Sequence, residues 1–215
     1  MAIKFVFFDV GETLIDETRL RDSWADYLGA DRAAFTAALE ELIARDQDYR
    51  TVFARFRPGF NAAAARRERA ARRETHMLDA RDVFPDALPC LARLRELGYA
   101  VGIAGNQRAG ALAALPALGF GGVMIAASAT MGVEKPDPRF FAALIATAGV
   151  PAAAIAYVGD RLDNDVLPAR AAGMAAIFVK RGPWGRVHAT RPEIARARLA
   201  VTSLMEIPEA LAAIG

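Results

Sequence analysis

Short unbroken apolar runs alternate along the chain with stretches in which apolar positions recur every three or four residues. The runs are "IKFVFFD" from Ile3, "YAVGIAGN" from Tyr99, "GVMIAAS" from Gly122, "AIAYVGD" from Ala154 and "AAIFVKR" from Ala175. They are apolar throughout instead of alternating, as expected of strands covered on both faces in a parallel sheet. Between them lie amphipathic helical patterns. Residues 86–98, "DALPCLARLRELG", place Leu88, Leu91, Leu94 and Leu97 on one stripe and end in a glycine stop. Residues 137–149 open with Asp137 as a candidate N-cap and Pro138 at the first helical position. The alternation predicts an α/β fold built on a doubly wound, Rossmann-like parallel sheet. In such folds ligands gather at the carboxyl ends of the strands.

One segment breaks the alternation. From Glu17 to Val83 the pattern is helical, with "RAAFTAALEELIARD" and "AAAARRERAARRETHML" separated by the breaker "RPGFN". The organisation expected is an α/β core of residues 1–16 and 84–215 with an inserted helical subdomain, residues 17–83. The arginines from Arg66 to Arg73 spread around their helix, and Glu68 can pair with Arg72 one turn on, so they read as a solvated face.

The chain has 215 residues, 54% of them hydrophobic, enough for a sizeable core. A net charge of +2 gives no field suited to nucleic acid. The basic residues are almost all arginine, the lysines being Lys4, Lys135 and Lys180. Cys90 is alone, which forbids an internal disulfide. The N-terminal apolar run is short for a signal peptide, and no apolar stretch approaches the roughly 18 residues of a membrane span. A soluble, cytoplasmic protein is expected, with no membrane or nucleic-acid partner. The oligomeric state is not legible.

The chemistry collects at the ends of the predicted strands. Asp9 follows the first run and Gly105-Asn106 ends the second. Lys135 sits in "GVEKPDP", and Asp160 ends the fourth run with Asp163 and Asp165 just behind. Three carboxylates and a lysine meeting at one sheet edge require a counter-charge, which a hard divalent cation such as Mg²⁺ supplies. A carboxylate beside such an ion and an ammonium suits phosphoryl transfer.

These stretches resemble the haloacid dehalogenase-like hydrolase superfamily nearly end to end. "FFDVGETL", "VGIAGN", "GVEKPDPRFF" and "YVGDRLDNDVLPARAAGM" resemble its four motifs in order, and the last two are long and specific. The resemblance implies that Asp9 is the nucleophile and that Lys135 orients it and the phosphate. It implies Mg²⁺ held by Asp9, the backbone carbonyl of Gly11 and Asp160, with Asp165 in support and Asp163 as the alternative. The helical segment corresponds to the cap that many members insert after the nucleophile. The implied activity is Mg²⁺-dependent hydrolysis of a small phosphorylated metabolite through an aspartyl phosphate.

Two positions depart from the family. Gly11 stands where its phosphatases carry an acid–base aspartate, a group worth about 10²- to 10⁴-fold in rate. Glu12, one residue on, is the candidate replacement, against a capping or solvent-facing role. Gly105 stands where the family has Ser or Thr, leaving its N–H and the Asn106 amide to bind phosphate. The intact "GDRLDND" favours a metal over a metal-independent 2-haloacid dehalogenase. The absence of lysine from residues 17–83 closes the Schiff-base route of phosphonate-cleaving relatives. A non-catalytic relative that binds a phosphorylated metabolite or a protein is the other alternative. His76 and His188 read as surface or packing residues, and Cys90 as packing. Arg181 and Trp184 lie in a loop that either reaches substrate or forms a structural turn, and Arg19, Arg55 and Arg57 could face an anionic substrate.

Overall fold

The computed structural model of the protein describes residues 2–213. Six strands form one sheet: β1 (Phe5–Phe8), β2 (Ala100–Gly105), β3 (Met124–Ala127), β4 (Ile155–Gly159), β5 (Ala175–Val179) and β6 (Leu199–Val201). Their spatial order is β3-β2-β1-β4-β5-β6, and every pairing is parallel. The five runs read from the sequence all become strands, and the doubly wound α/β class holds. The order reverses direction between β1 and β4, the switch point where such sheets bind ligands. β6 is a three-residue edge strand that the apolar runs did not announce.

Aromatic residues fill one face of the sheet. Phe5 and Phe7 stack at 4.3 Å, and Phe141 meets Tyr157 edge-on at 5.4 Å. Both pairs belong to one buried cluster with Phe140, Leu144 and Phe178. Gly102 on the neighbouring strand makes room for the stacked rings, since a Cβ there would lie 2.6 Å from Phe7 Cε1 and 2.9 Å from Phe5 Cε1.

The helices form where their caps and stripes place them. Pro138–Ala148 begins at Asp137, whose side chain accepts from Arg139 N at 2.8 Å, and ends at a left-handed Gly149. In Ala87–Glu96 the buried stripe is Ala87, Cys90, Leu91 and Leu94. Leu88 and Leu97 are exposed, because the helix turns its 87/90/91/94 face to the core and leaves those two at its margins. Cys90 packs in that stripe, where burial pushes its thiol up to about 12.

The chain divides into two compact units, residues 1–16 with 79–215 and residues 17–78. Residues 79–83 belong with the sheet, held by reciprocal capping between Asp79 and Asp82 and by a bridge from Val83 to Ile15. The helical unit has an aromatic core: Trp24 and Phe53 lie 5.3 Å apart, and Phe53 stacks on Phe60 at 5.0 Å. Its helix Ala62–Ala71 stops short of the pattern that ran to Leu78. Arg73 turns left-handed at φ 58°, and Arg73 N and Glu74 N bond back to Ala70 O and Arg69 O in a Schellman closure. Glu68 and Arg72 do pair, at 2.8 Å. Arg69 departs from the solvated-face reading: it is buried, with its guanidinium 4.3 Å from the Trp24 ring and bonded to Ser23 Oγ and Glu74 O. Arg55 pairs with Glu41 at 2.6 Å, and Arg57 donates to Tyr27 O. No helix among the described residues is long and apolar enough to cross a membrane.

Gly102→Ala should lower stability by about 1–3 kcal/mol, because the stacked rings leave no space for a methyl group. The readout is a reduced urea midpoint at unchanged slope. An unchanged midpoint would show that the ring pair yields.

Candidate active site

Parallel strands deliver their C-terminal residues to one edge. Asp9 follows β1, Asn106 follows β2 and Asp160 follows β4, and β1 lies between the other two. Asp165 comes from the wide turn Leu162–Val166, where Val166 N bonds to Arg161 O five residues back. Such turns recur at functional sites because they re-aim side chains. Lys135 arrives from the loop before the helix Pro138–Ala148.

These residues meet. Lys135 Nζ donates to Asp9 Oδ1 at 2.7 Å and to Asp165 Oδ1 at 2.5 Å, and its side chain is 1% exposed. Oxygens of Asp9, Asp160 and Asp165 lie within 4.8 Å of one another, and all three residues are buried. Burial alone would push the Lys135 ammonium down, but Asp165 and Asp9 together outweigh it and hold its proton well above the usual lysine range. Burial pushes Asp165 up to about 6, with the Asp9 charge adding and the Lys135 charge opposing. Asp160 is driven well above the carboxylate range by burial first, then by the charges of Asp165, Asp9 and Glu12. One ammonium does not suffice to keep all three carboxylates ionised.

The glycines shape the cluster. A Cβ at Gly105 would lie 2.5 Å from Asp9 Oδ1, so the space that a larger residue would fill is taken by the aspartate's own oxygen. A Cβ at Gly159 would lie 2.4 Å from Asp165 Cγ. Gly11 sits in the turn after Asp9, where Glu12 N bonds to Ile15 O at 2.7 Å. Glu12 is buried with a left-handed backbone at φ 54°, and its Cδ lies 2.4 Å from where a Cβ of Gly182 would be. The Thr13 carbonyl accepts from Arg181 Nη1 at 3.2 Å, while its buried Oγ1 has no partner.

The Asn106 side chain faces Lys135's backbone. Its Nδ2 donates to Lys135 O at 2.9 Å, and its Oδ1 accepts from Lys135 N at 2.8 Å. Asp163 lies apart from the cluster: its side chain is 52% exposed and bonded twice to Arg161, at 3.1 and 2.5 Å. Arg181 is structural, bonded to Asp86, which also accepts from Ser203 Oγ and Leu204 N.

Several contributors escaped the sequence reading. Tyr157 lies beneath the lysine, its ring centroid 5.3 Å from Lys135 Nζ and its hydroxyl donating to Ala104 O at 2.7 Å. Its polar tip in an otherwise apolar strand was the only available signal. Arg161 stacks on Trp184 at 3.7 Å, and its N–H donates to Asp165 Oδ2 at 3.0 Å. His188 is the packing residue the sequence suggests: buried, it accepts from Leu162 N at 2.9 Å and meets Trp184 edge-on, against the turn that carries Asp165.

Asn106→Ala unties both backbone groups of Lys135. At about 0.5–1.5 kcal/mol for each neutral hydrogen bond, the variant should lose about 1–3 kcal/mol against urea. Unchanged stability would show that the Lys135 loop is fixed by other contacts.

The model of the haloacid dehalogenase-like hydrolase family matches residues 3–173. A glyceraldehyde 3-phosphate phosphatase of Methanopyrus kandleri is 31% identical over 205 residues, 85% of this chain and 86% of that protein. Another of that name, from Pyrococcus abyssi, is 30% identical over 202 residues, 84% and 82% of the two chains. Among solved structures, the HAD-hydrolase YfnB of Bacillus subtilis, bound to magnesium, shares the fold with a TM-score of 0.71 at 17% identity, covering 98% of this chain and 99% of its own. With that fold, and with a buried lysine set between aspartates at the switch point of its sheet, the chain belongs to the haloacid dehalogenase-like hydrolase family.

Proposed function

We propose that the protein is a magnesium-dependent phosphatase of small phosphorylated metabolites, with the helical unit 17–78 as its cap. The observation that carries this reading is the convergence of Asp9, Asp160 and Asp165 within 4.8 Å beside a buried lysine. The donor set fits Mg²⁺, which takes a few carboxylates and completes its shell with water and backbone oxygens. Asp9, Asp160 and the Gly11 carbonyl would hold the ion. Asp165, whose two oxygens each accept an N–H, would support them. Bound there, the ion would neutralise charge on the phosphate. Relatives of similar length that are named phosphatases support a phosphate substrate.

The chain's own residues then divide the work. An Asp9 oxygen attacks phosphorus, the leaving group departs, and water later cleaves the aspartyl phosphate. Lys135 keeps its proton throughout and fixes the Asp9 carboxylate. The Gly105 N–H and the remaining N–H of Asn106 bind phosphate oxygens.

A panel of phosphate esters should be turned over with Mg²⁺, not with EDTA, and not by Asp9→Asn. Chloride release from a 2-haloacid without metal would contradict the reading, and so would a failure to hydrolyse any phosphate. Metal binding should also depend on pH. Asp160 and Asp165, both pushed up by burial, must be ionised to hold the ion, so affinity should rise with pH. The Mg²⁺-induced rise in unfolding temperature, measured between about pH 5 and about pH 7, reads this out. A pH-independent rise would contradict it.

A further inference from the structure

Transfer of a phosphoryl group to a carboxylate leaves negative charge on the departing oxygen. Enzymes that cleave alkyl esters deliver a proton there, and the group doing so is typically worth about 10²- to 10⁴-fold. Among the described residues of the sheet unit, the side-chain donors beside Asp9 are absent or engaged, and Asp160 and Asp165 would be ionised in holding the ion. Gly11 has no side chain. Glu12 is twisted left-handed, with its buried side chain laid over Gly182. Lys135 Nζ is bonded to Asp9 and Asp165, and the Tyr157 hydroxyl donates to Ala104 O. Gly105 offers no hydroxyl, and Asp9 Oδ1 occupies the space where one would be carried. The Arg161 guanidinium is paired with Asp163. Thr13 has a buried hydroxyl, but an alcohol is no stronger an acid than the alkoxide's own conjugate.

Resting on the phosphatase reading, we propose that the substrates are phosphates whose leaving group departs as a stabilised oxyanion, namely acyl, enol or aryl phosphates, and not alkyl phosphate esters. In the first step an Asp9 oxygen bonds to phosphorus as the bond from phosphorus to the leaving oxygen breaks. The leaving group takes the electron pair as a carboxylate, enolate or phenolate, and no proton moves. In the second step water oxygen bonds to phosphorus and the bond to Asp9 breaks. Its electron pair returns to the carboxylate, and both protons of the water leave with inorganic phosphate. Asp9 is itself a stable anion, so this step proceeds without a base, slowly. Glyceraldehyde 3-phosphate, in the names of the two relatives, is an alkyl phosphate. The preference therefore sets this chain apart from what those names describe.

The test compares kcat/KM with Mg²⁺ for acetyl phosphate, p-nitrophenyl phosphate, phenyl phosphate and glycerol 3-phosphate. This ratio reports events up to the first transfer, so slow hydrolysis of the aspartyl phosphate does not mask it. Acetyl and nitrophenyl phosphate should exceed glycerol phosphate by at least about 10²-fold, with phenyl phosphate between. Gly11→Asp should raise kcat/KM for glycerol phosphate relative to that for acetyl phosphate by about 10²-fold. Gly11→Asn, of the same size but without the acid, should not raise that ratio. Wild-type protein cleaving alkyl and aryl phosphates equally would overturn the proposal. If that flat dependence became steep in Glu12→Gln, the proton would be assigned to Glu12. Should Gly11→Asp fail to fold, the wild-type series decides alone. Flat but Mg²⁺- and Asp9-dependent turnover sinks only the leaving-group claim, whereas no turnover of any phosphate sinks the phosphatase reading with it.

Discussion

A single ammonium buried between two carboxylates organises this molecule. Lys135 reaches Asp9, 126 residues away in sequence, and Asp165, 30 residues away, and it does so where water is excluded. Charges taken out of water cost several kcal/mol each unless partners compensate them closely. The arrangement is tenable only because the sheet fixes all three approaches. β1 lies between β2 and β4, so the nucleophile candidate, the Asn106 clamp and Asp160 emerge side by side. The clamp holds Lys135's backbone at both N–H and C=O, which aims the side chain inward.

The same geometry supports the proposed cation site. Lys135 satisfies Asp9 and Asp165, while Asp160, pushed up by burial and by its anionic neighbours, has no comparable partner. The surrounding glycines are part of this design. Gly105 and Gly159 admit the carboxylates of Asp9 and Asp165 where any side chain would collide with them. The loss of a hydroxyl at residue 105 and the position of Asp9 are thus one structural fact.

Much of this was legible in the sequence, and the failures are instructive. Unbroken apolar runs gave five strands because a parallel sheet buries both faces, and long motifs placed Asp9, Lys135, Asp160 and Asp165 together. β6, "LAV", is too short to stand out from its surroundings. The helix end at Ala71 depends on Arg73 adopting a backbone that composition does not forecast. Leu88 and Leu97 fit the helical period, but which face turns inward is decided by tertiary contact. The pattern reads Arg69 as solvated because charge seldom goes inside; the Trp24 ring and bonds to Ser23 Oγ and Glu74 O make its burial tolerable. The Asn106 clamp, the Tyr157 platform and the packing of Arg161, Trp184 and His188 behind Asp165 all join distant segments. No local pattern encodes them.

Calorimetric titration with Mg²⁺ decides whether Asp9, Asp160 and Asp165 form the proposed divalent-cation site. One ion should bind per chain in the wild-type protein and none detectably in Asp160→Asn, with the variant's fold intact by circular dichroism. A wild-type protein that binds no ion, or a variant that binds as tightly as the wild type, would contradict it.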